Sequence, residues 1–349
     1  MTKPTLVALA AALALGATWT TARADGVFVK FHGQQSGVIS GPYINEQHKG
    51  VSFREVASEA TGTRSFEITF EWDNAIALLA NSLVNGENYT VNLDFYRRMT
   101  QPRMTVNGAI SDTIYAKLEL VGAKLSRLLV VYGGSTSHRT AIYLARLMVP
   151  AQDVKIQAVP APTTSTAPPT GGRPAVVSMV LAPAIPTIAA SSGTFGVDLL
   201  NGNDVRGADG GTVDVQPTSG SFHAELQHPG GTTTSSVDSF VLDISAPSGH
   251  ATFQPVIIAK TPGASSPDFA QAQATGASLN RIEIVLSAPT HPGGMPVAQF
   301  QLKLATAKIT SNQTSSDAHA HQTETIGMSG QQVELNDLIS HVTMQAPWH

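Results

Sequence analysis

Ser266-Pro267-Asp268-Phe269-Ala270-Gln271-Ala272-Gln273-Ala274-Thr275-Gly276 sits between two runs of strand character, and its reading decides the fold. Ser266 has the hydroxyl of an N-cap, Pro267 suits the first helical position, and Asp268 favours the positive end of the helix dipole. Gly276 supplies the left-handed residue that ends a helix. A short helix is therefore predicted here, and a similar unit lies in the first half of the chain. There Asp73 is the candidate N-cap, Ile76, Leu79, Ala80 and Leu83 fall at i, i+3, i+4 and i+7, and Gly86 closes the run.

Strand signals surround both helices. Phe66, Ile68 and Phe70 alternate with Glu67, Thr69 and Glu71 before the first, and Val91, Leu93 and Phe95 alternate with Asn92, Asp94 and Tyr96 after it. Around the second, residues 251–259 precede and residues 279–286 follow, with Ile282, Ile284 and Leu286 on one face and Arg281, Glu283 and Val285 on the other. Period two means one buried face and one wet face. Further strands are expected at 27–31, 115–121, 127–132, 140–149 (with some helical character), 222–226, 237–244, 298–309 and 339–344, and a loop at 34–50. Both helices are too short to be stable alone, so each must pack on its own sheet. The shared order of elements in the two halves points to an internal duplication.

The N-terminus reads as an export signal. Lys3 precedes an apolar run at residues 6–15, and Ala22-Arg23-Ala24 offers an A-x-A cleavage site before Asp25. The expected organisation is a signal peptide at 1–24, a first domain at 25–159, a Pro/Thr/Gly-rich linker with an irregular segment at 160–220, and a second domain at 221–349. Loss of Lys3 and Arg23 takes the formal net charge from -4 to -6. An acidic chain offers no basic footprint for nucleic acid. With no cysteine, disulfides, thiol catalysis and cysteine metal sites are excluded. Charged residues are only 13%, while turn residues abound, which suits β-structure.

Chemistry-bearing patterns are few. Asp317-Ala318-His319-Ala320-His321, with Glu324 after it, has metal-ligand residue types, and His-x-His places two imidazoles on one side of an extended strand. Asp317, His319 and His321 are the weak metal candidates, in a Ser/Thr-rich stretch where polar residues are expected anyway. His250, Asp238 and Ser239 could be imagined as a triad, but proximity in sequence is not geometry. Arg97, Arg98 and Arg103 read as a solvated loop, and His228-Pro229-Gly230 and His291-Pro292-Gly293-Gly294 as hairpin turns. No catalytic residue and no cofactor is assigned.

The second half resembles the Hcp (haemolysin-coregulated protein) tube proteins of type VI secretion. The resemblance rests on Phe222-His223-Ala224-Glu225-Leu226, Val237-Asp238-Ser239-Phe240, Ala251-Thr252-Phe253-Gln254-Pro255, Ser265-Ser266-Pro267 with Ala274-Thr275-Gly276 ten residues on, and Leu304, Ala307, Ile309, Thr310 and Ser311. It covers residues 222–344; the first half matches more weakly, through 74–86 and its flanking strands. It implies a mainly β protein of two Hcp-like β-barrel or sandwich domains, each with one short packed α-helix, and self-association into rings that stack as a tube. Family members usually have one such domain and no cleaved signal peptide. With two domains per chain, three chains would make a pseudo-hexamer. The function expected is that of an exported, periplasmic or extracellular, non-enzymatic assembly protein that forms rings or tubes or binds a partner. The alternatives are a secreted metal-dependent hydrolase using Asp317, His319 and His321, and an adhesin-like surface module spaced by the linker.

Overall fold

In the first half, β1 (Gly26–Gly33) turns through β2 (Gly37–Ile39) and a 3-10 turn, Ile44–Glu46, into β3 (His48–Ser58) and β4 (Thr63–Glu71). Helix α1 (Ile76–Asn85) follows, then β5 (Asn88–Arg97), β6 (Thr113–Ser135), β7 (His138–Pro150) and β8 (Val154–Ala158). The computed structural model describes residues 26–42, 44–58, 62–97, 113–135, 138–158, 223–227, 234–246, 249–289, 295–316 and 322–348. The signal-peptide stretch 1–24, the linker at 160–220, Arg98, Arg103, both proposed His-Pro-Gly turns and the Asp317, His319, His321 group lie outside the described residues.

The antiparallel ladders of this half close on themselves. β1 pairs with β3 and β5, β3 with β4, β4 with β7, β7 with β6, and β6 with β5. Alternation explains what fills the ring, because Val27, Val29, Phe31, Phe66, Ile68, Phe70, Val91, Leu93 and Phe95 are all buried. On the outer face of β4, Glu67 is paired with Arg146 of β7 and Glu71 with Lys49 of β3. Helix α1 lays Ile76, Leu79, Ala80 and Leu83 into this core, and Gly86, at φ 65°, ends it in the left-handed region that glycine tolerates best.

The second half runs β9 (His223–Gln227), β10 (Thr234–Val237), β11 (Ser239–Ser245), β12 (Thr252–Phe253), β13 (Val256–Lys260), α2 (Ser266–Thr275), β14 (Leu279–Pro289), β15 (Pro296–Ser316), β16 (Gln322–Ser329), β17 (Gln332–Asp337) and β18 (Val342–Pro347). Every ladder of the first ring has a counterpart here. β9 pairs with β10 and β14, β11 with β13, β13 with β16, β16 with β15, and β15 with β14, while β10 runs into β11 through a bend at Asp238. β8 on β6 likewise corresponds to β17 on β15. Among the described residues the chain is thus mainly β, with one short α-helix in each half.

The correspondence extends to irregularities. Long strand β6 changes partner from β5 to β7 near Lys124 and is bulged between Leu125 and Arg127; β15 changes partner near Lys308 and is bulged between Ile309 and Ser311. Just ahead of each bulge one residue has positive φ, Gly122 at 69° and Thr306 at 49°. A β-branched residue there carries strain of about 1 kcal/mol or more. Thr306→Gly is therefore expected to raise stability by about 0.5–1 kcal/mol in urea unfolding, the gain reduced by the looser unfolded chain; a lower urea midpoint would refute it.

Several expectations need correction. The loop expected at 34–50 contains β2 and the start of β3, because the Gly37 turn, at φ 70°, sends the chain back along β1. The runs at 115–121 and 127–132 are one strand, β6. The helical character at 140–149 resolves as β7, where Tyr143, Ala145, Leu147 and Val149 alternate into the core. Residues 338–341 form a turn and only β18 follows. β8, β16 and β17 are strands where the sequence pattern predicts none. Ser266 does not cap α2; Ser265 holds the cap position without a side-chain capping bond, and Ser266 is already helical with its hydroxyl engaged elsewhere. Among the described residues no helix is long and apolar enough to cross a membrane.

Candidate assembly interface

Strand β6 is apolar on both faces over Leu128-Leu129-Val130-Val131, as a strand buried from two sides must be. Leu128, Val130 and Tyr132 point into the main core. Leu129 and Val131 join Ile142 and Leu144 of β7 and Val241 of β11 in a second, separate apolar cluster. The outer edge of β6 pairs with β11, Arg127 to Tyr132 against Ser245 to Phe240, so the two halves share one continuous ladder. At its end Arg127 donates from Nε to Asp243 Oδ1 at 2.8 Å and from Nη2 to Oδ2 at 2.6 Å. This fork geometry is the strongest form of ion pair, and the carboxylate raises the guanidinium's pKa further. Tyr132 stacks on Phe240 across the seam at 5.7 Å.

Helix α1 adds a second layer to the seam. It packs against β17 and β18 of the second half as well as on its own β6, and Trp72, just ahead of it, sets its edge on Phe300 at 5.2 Å. Asp73 organises the helix start. Its Oδ1 accepts from the Ala75 N–H at 2.9 Å and from the Tyr143 hydroxyl at 2.9 Å, and its Oδ2 lies 2.7 Å from His48 Nδ1. Since the carbonyl of Ile39 can only accept, His48 Nε2 donates to it at 3.0 Å. His48 is fully buried. Burial alone would lower its pKa, but the bond and charge of Asp73 and the Ile39 carbonyl outweigh it and the net shift is upward. Asp337, in β17, also has a raised pKa, chiefly from burial, with a further push from the charge of Asp73.

At the matching place beneath α2 the chemistry differs. The cross-strand pair Phe70 and Tyr143 of the first half is replaced by Lys260 and Glu324, which form an ion pair of 2.8 Å with both side chains nearly inaccessible. Ser266 donates to Glu324 Oε2 at 2.5 Å and accepts from Lys260 Nζ and the Gly263 N–H. Burial pushes the Glu324 carboxyl up, but the bonds from Lys260 and Ser266 prevail and its pKa falls. Glu324 is thus held by Lys260 and Ser266.

The imagined triad is not assembled. Asp238 lies at the bend before β11 and Ser239 opens the strand, while His250 lies in the exposed turn beyond its far end, a strand length of about 20 Å at roughly 3.3 Å per residue. Arg97 ends β5. Among the described residues no group of three or more metal-ligating side chains occurs. What the sequence reading missed is the seam itself, although the two-sided apolar run at 128–131 was its signal.

Residues 228–336 match the model of a family described as "Type VI secretion system effector, Hcp". The second half is Hcp-like. The matched segment spans β10 to β17 of this unit, including its helix and the strand that bends between sheets. No curated protein matches the sequence. Among solved structures, Hcp1 of the E. coli EAEC 042 pathovar is 18% identical and aligns over 37% of this chain and 99% of its own, with a TM-score of 0.32. Hcp1 from Salmonella typhimurium is 15% identical over 37% of this chain and 96% of its own, TM-score 0.32. The secreted protein Hcp3 from Pseudomonas aeruginosa is 16% identical over 37% and 97%, TM-score 0.31.

Proposed function

We propose that this chain is an exported, non-enzymatic structural protein made of two units of Hcp type, which works by self-association into rings or tubes or by holding a protein partner. The observation that carries the reading is the matching order of ladders in the two halves, since it gives the first unit the frame of the unit that matches the family model. The side chains concentrated at the seam support the same view. Arg127, Asp243, Trp72, Phe300 and the cluster around Val131 are packing and pairing groups, arranged to join β-sheets edge to edge. The export signal read at residues 1–24 supports a mature protein in the periplasm or outside the cell.

Negative-stain microscopy of the protein purified from residue 25 onward tests this. Rings or stacked tubes are the expected result; a uniform field of separate two-lobed particles, unchanged on concentration, would sink the self-association reading.

A further inference from the structure

The seam between the units is heterologous. The first unit gives the edge of β6 and one side of α1; the second receives them on β11 and the β17–β18 hairpin. A head-to-tail contact between like units could repeat from chain to chain, giving a ring if it closes and a filament if it does not. Repetition would require the second unit to present the corresponding strand edge and helix to the first unit of a neighbour.

The ladders identify that counterpart residue by residue. Arg127 to Tyr132 on β6 correspond to Ser311 to Ser316 on β15, because Lys124 and Lys308 stand at the same change of partner. The apolar set Leu129, Val131, Ile142 and Leu144 is replaced by Gln313, Ser315, Thr323 and Thr325. On the receiving strand, Val241 of β11 corresponds to Arg54 of β3. The bidentate pair is lost too, since Arg127 becomes Ser311.

The helix layer changes in the same sense. Helix α1 buries Ile76, Ala77, Leu79, Ala80, Ser82 and Leu83, whereas α2 buries only Phe269 and Ala272 and leaves Asp268, Gln271 and Gln273 exposed. The centre of a stable interface is apolar and poor in charge, and here every member of the apolar cluster at the seam, Leu129, Val131, Ile142, Leu144 and Val241, has a polar equivalent.

We infer that the head-to-tail contact is spent within the chain: it joins the two units once and does not link one chain to the next. This rests on reading the chain as two copies of one frame. Any ring or tube is then built through other surfaces, and the three-chain pseudo-hexamer made by repeating this seam does not form.

The test is sedimentation velocity of the full chain beside the double variant Gln313→Lys, Ser315→Lys, at about 100 µM, where even an interface of micromolar affinity is populated. Lysines on a strand edge block further pairing, and both positions are exposed, so circular dichroism is expected to be unchanged. The expected result is the same sedimentation coefficient for both proteins. If both are larger than one chain, the inference stands and assembly uses another surface. If both are single chains, the inference stands and the self-association reading fails. A wild-type oligomer that the variant reduces to single chains overturns the inference.

Discussion

Lys260→Met is expected to cost about 3–5 kcal/mol of stability, read from urea unfolding, because it strands the Glu324 carboxylate in the core. Lys260 and Glu324 have side-chain exposures of 0% and 2%, so water cannot replace the missing partner. Most of the loss should return in the double variant Lys260→Met, Glu324→Leu, since an apolar pair of similar volume is often as stable as a buried ion pair. The first unit supports this, for Phe70 stacks on Tyr143 at 4.8 Å in the same place. The pair also sets an acid limit. The Glu324 pKa lies below its ordinary 4.5 in the folded state, so its contribution is complete above the unfolded value and is lost as pH falls through the folded one. A loss of under 1 kcal/mol in the single variant would mean that water reaches the pair.

Asp73→Ala should be comparably severe, at about 3–5 kcal/mol, because one carboxylate serves three donors. It fixes the first turn of α1, neutralises the buried His48 and accepts from Tyr143. Asp73→Asn should cost less and act on the pH profile. Folding raises the His48 pKa above 6.5, so protonation favours the native state; that contribution is present below 6.5 and is lost as pH rises through the folded value. The wild-type protein should therefore lose stability as pH rises above 6.5 and through the raised folded value, and Asp73→Asn should flatten that slope. An unchanged slope in the variant would remove His48 as its source.

How much of this was legible depended on distance along the chain. Strands such as 66–70, 91–95 and 282–286 could be read because alternation is local. Helix ends at Gly86 and Gly276 were equally plain, since a left-handed residue leaves its mark in the sequence. Strand β6 was read as two runs because Gly122 and the bulge at Ser126 look like an ending, and only the β5, β7 and β11 ladders reveal the continuity. The Ser266 hydroxyl looked like a cap because its real partners, Lys260 and Glu324, meet only across the β13–β16 ladder. The seam was half legible: residues 128–131 announced burial on two faces, but nothing nearby names β11 as the partner. The His319 and His321 group lies outside the described residues.

Strand β6 has one further consequence. It is bonded by β5 and β8 over its first part and by β7 and β11 over its second. Heat or force that opens either unit must therefore strip hydrogen bonds from a strand the other unit also holds. The two units share one mechanical spine.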